Sequence, residues 1–171
     1  GDDAEELVAR PKDLMDNATP SANSMAEVGL LRLEAHTGST RYGEHARTIL
    51  RTLGGVAGAH ALAFGNLLWA VELHLVGATE VVVTGDRPDL VHPVQRRFLP
   101  TTVLAWGEPG TGPLWEGRAA TGADGRAYVC RDHACRAPVA TPEELLSELR
   151  KRKAKAGRSG KPGAPGPSKR R

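Results

Sequence analysis

The sequence predicts a mainly α-helical chain that passes into a small α/β unit and then into disorder. Three observations predict this. Helix-period apolar runs fill residues 21–76, strand–helix–strand signals follow between residues 80 and 106, and the stretch beyond Ala156 is built from small residues, Pro, Lys and Arg. The expected boundaries are 1–78 for the helical part, 79–155 for the α/β unit and 156–171 for a basic tail.

Residues 7–20 read as a loop, punctuated by Pro11 and Pro20 around Asp16-Asn17. Ser21 is placed to cap a helix that carries Ala22, Met25, Ala26, Val28, Gly29, Leu30, Leu31 and Leu33. Those positions cover more than one face, so this helix is expected to touch neighbours on two sides. His36-Thr37-Gly38 closes it, with Gly38 suited to a left-handed cap.

A second helix is expected from Thr40 to Leu53, with Tyr42, Ala46, Ile49, Leu50 and Leu53 as its apolar stripe and Gly54-Gly55 as its stop. A third, Ala57–Val76, is apolar nearly all round and is expected in the middle of the structure. Then Glu80–Gly85 reads as a buried strand, and Pro88–Phe98 as a helix capped by Asp86 with Pro88 in its first turn. Thr101–Trp106 reads as a strand parallel to the first, since a helical crossover joins them. Residues 107–125 are a Gly/Pro-rich loop, Arg126–Cys130 a third strand, and Thr141-Pro142-Glu143-Glu144 opens a last helix.

The net charge of +3 over 171 residues suggests a basic protein, but the average misleads. Ten Lys or Arg and no acid lie between Arg150 and Arg171, leaving thirteen basic against twenty acidic residues before them. The body is acidic, so a nucleic-acid reading drawn from overall charge fails for it. The tail could touch RNA, DNA or acidic lipid by charge alone; with no aromatic residue, it has nothing to stack on bases. No specific nucleic acid is therefore expected as a partner. The longest apolar stretch, Ala61–Val76, is interrupted by Asn66, Glu72 and His74 and falls short of the ~20 residues of a membrane span. Two cysteines do not make a disulfide scaffold, and no secretory signal opens the chain, so a cytoplasmic protein with reduced thiols is expected. The acidic start without Met is expected of a chain cut from something longer.

The run Asp16-Asn17-Ala18-Thr19-Pro20-Ser21-Ala22-Asn23-Ser24 carries a resemblance. With AFGNLLWAVELHL at 63–75, EVVVTGDRPD at 80–89 and AYVCRDHACRAPV at 127–139, in that order, it resembles the C-terminal region of the spermatogenesis-associated protein 20 family. The resemblance implies a parent with an N-terminal thioredoxin-like domain and an (α/α)6 toroid similar to those of sugar epimerases and six-hairpin glycosidases. This chain would then supply the terminal helical hairpins and a roughly three-stranded α/β appendage. Its partner would be the missing N-terminal part of the same protein. Alone, its apolar helix would lose neighbours and the chain would self-associate. No thioredoxin-type C-x-x-C is present, so redox chemistry of that domain does not carry over to these residues.

In such a toroid, loops leading into inner helices surround a central cavity. Asp16, Ser21, Asn23 and Ser24 could there hold the hydroxyls of a sugar-like molecule or an anion through small polar groups and helix-start N–H groups. The plainer reading is that Ser21 caps its helix and Asp16 satisfies loop amides. His60 could face the cavity, and Glu72 could act as acid or base, with Asp16 and Asn23 as further catalytic candidates. Paired-carboxylate catalysis needs a second acid at a set separation, and Glu72 has no evident partner; hydrogen-bonded core or interface groups are the plainer account of His60, Asn66, Glu72 and His74.

Cys130, His133 and Cys135 give only three crowded zinc ligands with no second pair, so no metal is assigned. A catalytic Cys–His pair lacks a third, orienting group. Cys130 and Cys135 are read first as structural thiols closing the third strand and its turn, with redox chemistry as the alternative, since Arg131 and Arg136 could lower a thiol pKa. Gly85-Asp86-Arg87-Pro88 follows a strand as phosphate-binding turns do, but neither G-x-G-x-x-G nor G-x-x-x-x-G-K-[ST] occurs, and no cofactor is assigned.

Overall fold

A computed structural model describes residues 13–119, 121–131 and 134–151. The expected basic tail lies outside these residues.

Helix α1, Ala22–Thr37, starts and stops where its residues dictate. Ser21 is extended and its hydroxyl accepts the Ser24 N–H at 3.1 Å, while Gly38 takes φ 70° and its N–H reaches the Glu34 carbonyl. A side chain at Gly38 would meet the Pro113 ring at 2.8 Å, so the cap is also a close contact with the later loop.

Helix α2 runs from Thr40 to Ala59, six residues past its expected end. Gly54-Gly55 lies inside it because Leu53 and Ala57 on either side are buried against Phe64 and Leu67. Two helical glycines cost ~1 kcal/mol each, less than the burial of that cluster returns. The expected third helix is correspondingly divided. Residues 57–59 finish α2, a 3-10 turn spans Ala61–Ala63, and α3 covers Gly65–Val76.

α1 packs against both α2 and α3 as its two-sided pattern required. Val28, Leu31, Ala46, Ala70 and Leu73 fill the space between the three. α1, not α3, is therefore the central helix. α3 buries Leu67, Ala70 and Leu73 and leaves Leu68, Leu75 and Val76 exposed.

The α/β unit has four strands, one more than expected: β1 Thr79–Thr84, β2 Thr102–Gly107, β3 Ala127–Arg131 and β4 Ala134–Cys135, in the order β2-β1-β3-β4. β1 and β2 are parallel, joined through α4, Pro88–Gln95. β3 runs antiparallel on the other side of β1, with Glu80 opposite Cys130 and Val82 opposite Tyr128. The added β4 pairs Cys135 with Cys130; two residues are too few to give a periodic signal.

α4 ends three residues before Phe98, which is 91% exposed. Its cap position is Arg87 rather than Asp86, with no side-chain cap. α5, Pro142–Arg150, has a full capping box between Thr141 and Glu144. α4 and α5 cover one sheet face, burying Val81, Val83, Leu90, Val91, Val94, Ala127, Val129 and Leu145. Across the junction with the helices, Arg32 stacks 5.2 Å from the Trp69 ring, and both side chains donate to the Pro100 carbonyl. Among the described residues no helix is long and apolar enough to cross a membrane.

Candidate functional site

The DNATPSANS run folds into a hydrogen-bonded corner. Asp16 accepts the Ser21 N–H with Oδ1 at 2.8 Å, and with Oδ2 the N–H groups of Asn66 at 2.8 Å and Leu67 at 3.3 Å. The same carboxylate thus organises the entry to α1 and caps the start of α3, where the free N–H groups and the helix dipole favour an anion. Burial raises the cost of its charge, yet hydrogen bonds from Ser21, Ser24, Asn66 and Leu67 outweigh that and hold the carboxyl below its ordinary value. The Ser21 and Ser24 hydroxyls share a buried contact of 2.9 Å, and the Asn23 amide donates to the Asp13 carbonyl at 3.1 Å. Asp16, Ser21, Asn23 and Ser24 are therefore brought together, on one another and on backbone.

Glu72 is not brought to them. It lies six residues beyond Asn66 on α3, about 9 Å along the axis, and is exposed. It borders a different cleft of about 500 Å³, with Thr79, Leu99, Arg131 and Lys151. His60 is exposed at the α2 C-terminus. Asn66 reaches the Met25 sulfur at 3.5 Å, and His74 lines a groove of about 420 Å³ with Glu34, Arg47 and Glu80.

The turn after β1 leaves no room for a phosphate. Gly85 has φ 71°, donates its N–H to the Gly107 carbonyl, and has the Gly122 carbonyl 2.3 Å from where a Cβ would stand. The Asp86 N–H goes to Gly122 and the Arg87 N–H to Gly85. Arg87 instead ties the turn down. It donates to both oxygens of Asp89, to the Gly125 carbonyl and to the Ala140 carbonyl. That paired hydrogen bonding raises its own pKa and lowers that of Asp89.

Cys130 and Cys135 are joined as a disulfide across the β3–β4 pair, which corrects the expectation of free structural thiols. Register explains it: directly opposed residues of an antiparallel pair point to the same face. Bonded sulfurs are not thiolate ligands, and His133 lies outside the described residues; among those described, no group of metal-ligating side chains gathers.

Above the sulfurs sits Arg118, 7% exposed. Its Nη2 is 3.2 Å from the Cys130 sulfur and 2.7 Å from the Cys135 sulfur. Nη1 donates to the carbonyls of Pro113 and Glu116 at 3.3 Å each, and to that of Leu114. The guanidinium carbon is 5.2 Å from the Tyr128 ring centre, a cation–π distance. Burial lowers the Arg118 pKa, partly offset by Tyr128, Glu80 and Glu116.

Arg118 was not a sequence candidate, because it stands in a Gly/Pro-rich loop 12 and 17 residues from the two sulfurs. Glu27 was missed too. It is 1% exposed, and neither carboxylate oxygen has a hydrogen-bond partner. Burial pushes its carboxyl up to about 7. Its spacing from Ser24 and Leu31 on the inner face of α1 was the available signal.

No family model matches the chain. No solved structure matches it. Among curated proteins, spermatogenesis-associated protein 20 of Homo sapiens is 29% identical over 155 residues, covering 84% of this chain and 20% of that protein. The chain thus spans about one fifth of the length of the curated relative it matches. That match agrees with the resemblance read from the residues: the chain is similar to spermatogenesis-associated protein 20, over a span consistent with a C-terminal portion of such a protein.

Proposed function

We propose that this chain is the C-terminal part of a longer thioredoxin-domain-containing protein, where it packs through α1 and α3 on further helical hairpins, completes an (α/α) toroid and lines its cavity. The observation that carries the reading is the uncovered apolar surface of the helical layer. α1 presents Ala22, Met25, Ala26, Gly29 and Leu33 outward, and α3 presents Leu68, Leu75 and Val76. Burying each large side chain is worth ~1.5–3 kcal/mol, so such faces call for a partner. A relative about five times longer supplies a reason for one within the same polypeptide. Sequencing the DNA upstream of the Gly1 codon tests this. An open frame encoding helical hairpins and a thioredoxin-like domain supports it, and a stop codon followed by a nearby start overturns it.

The carbohydrate-modifying alternative draws on Asp16, Asn23 and Glu72, with a sugar-like molecule as partner. Asp16 is committed to backbone N–H groups and Glu72 is exposed further along α3, so no observation favours that reading. A thiol-based redox role for the C-x4-C pair is favoured by one: the Arg118 guanidinium in contact with both sulfurs.

A further inference from the structure

We propose that Cys130 and Cys135 form a reversible dithiol–disulfide couple that exchanges with an external dithiol, with the Cys135 sulfur as the point of attack and Arg118 as the built-in counter-ion of the thiolate. This rests on the thiol-based reading above and names its partner class and its charge partner.

The argument for a counter-ion comes from what the buried guanidinium lacks. Its Nη1 is occupied by three carbonyls, while its Nη2 is aimed only at two sulfurs, which are weak acceptors when neutral. Among the described residues no carboxylate stands within ion-pair distance of Arg118. A buried charge without a close partner is costly, and removing a proton from a thiol at this spot supplies the missing negative charge. Reduction therefore adds, beside the Arg118 Nη2, a negative charge that the bonded sulfurs do not carry.

The neighbouring groups set how far ionisation goes. Glu80, 2% exposed, stands opposite Cys130 in β1 on the same sheet face, and Glu116 lies in the loop that carries Arg118. Tyr128 lies under the guanidinium, and Arg131 and Arg136 flank the two cysteines in sequence. Among the described residues one cation stands against the two sulfurs, which favours a single thiolate per reduced pair, the second sulfur keeping its proton.

Access decides which sulfur reacts. Cys130 is 1% exposed, whereas Cys135 is exposed on the edge strand β4. A thiolate of the external dithiol attacks the Cys135 sulfur. The S–S bond breaks, and its electron pair leaves on the Cys130 sulfur, 3.2 Å from Arg118 Nη2. The second thiol of the reductant, on losing its proton, attacks its own sulfur in the mixed disulfide and displaces Cys135 as a thiolate, 2.7 Å from the same nitrogen. Two electrons pass from the dithiol, which departs as a disulfide. One of its protons ends on Cys130 and the other in solvent. A leaving thiolate stabilised in this way departs faster.

The test uses the full chain. It is reduced with dithiothreitol under native conditions, alkylated with iodoacetamide over a pH series, and read at each cysteine by mass spectrometry. Expected is half-maximal reactivity of Cys135 at least one pH unit below the value of about 8.5 for a free thiol. Arg118→Met is expected to return it to that value and slow alkylation about tenfold at neutral pH, while Arg118→Lys keeps it depressed. Because Arg118 also ties down its loop, a second comparison stands on wild-type arginine. Cys130→Ser is expected to form a mixed disulfide with glutathione disulfide at least tenfold faster than Cys135→Ser. A wild-type Cys135 titrating at about 8.5 or above, or a faster Cys135→Ser chain, overturns the assignment while leaving a reducible pair. A disulfide that dithiothreitol opens only in the unfolded chain overturns the thiol-based reading as a whole.

Discussion

The Asp16 carboxylate accepts the Asn66 backbone N–H at 2.8 Å, so a loop residue before α1 closes the N-terminus of α3 fifty residues later. The relationship explains why the chain can break between α2 and α3 without a local cap, for Phe64 at that position offers no side-chain acceptor. It also assigns Asp16 a folding role: it fastens two helices at one corner.

Replacing Asp16 by Ala removes acceptors for three backbone N–H groups. The expected loss is ~1–2 kcal/mol, the upper range of a single cap, measured by urea unfolding. The sign of its pH dependence follows from a pKa lowered on folding. The stabilisation is present above the ordinary Asp value of 3.8 and is lost as pH falls through the folded value, a loss the Ala variant would not show.

Glu27 has the opposite sign. Its carboxyl is raised from 4.5 to about 7 in the folded chain. Stability is therefore fullest below 4.5 and declines as pH rises toward 7, because the unfolded chain ionises this group first. Glu27→Gln keeps the shape and removes the charge. It is expected to raise stability at pH 8 by ~1–3 kcal/mol, the scale of no longer ionising a carboxyl whose pKa burial has raised, and to flatten the decline. An unchanged pH profile in thermal unfolding would contradict this.

Gly38→Ala introduces a side chain at φ 70°, with the Pro113 ring 2.8 Å from the new methyl group. The expected cost is ~1–2 kcal/mol from backbone strain and contact together, again by urea unfolding. Because Pro113 and Leu114 give carbonyls to Arg118, the same variant is expected to loosen the loop over the disulfide, detectable as faster amide hydrogen exchange at Trp115 and Arg118.

The parts of the fold legible in the sequence are those decided by neighbours in the chain. Ser21 and Gly38 bound α1, Thr141 with Glu144 opens α5, and the valines of β1 mark a strand buried on both faces. What was not legible depends on distant partners. Gly54-Gly55 reads as a stop until Leu53 and Ala57 are seen packed on Phe64 and Leu67. The Gly85 turn follows a strand as phosphate-binding turns do, and that its space is filled by the Gly122 backbone depends on a loop 37 residues away. The Cys130–Cys135 pair was legible as a pair, but its bond needed β4, and its charge partner needed a loop whose course no local pattern dictates.

The central claim, that the outer faces of α1 and α3 are an interface left open in this chain, is tested most directly by sedimentation velocity over a concentration series. The double variant Leu68→Glu/Leu75→Glu, changed at two exposed positions of α3, serves as comparison. The expected result is concentration-dependent association of the native chain and a monomer for the variant. A sharp native monomer at every concentration, unfolding cooperatively, would contradict it.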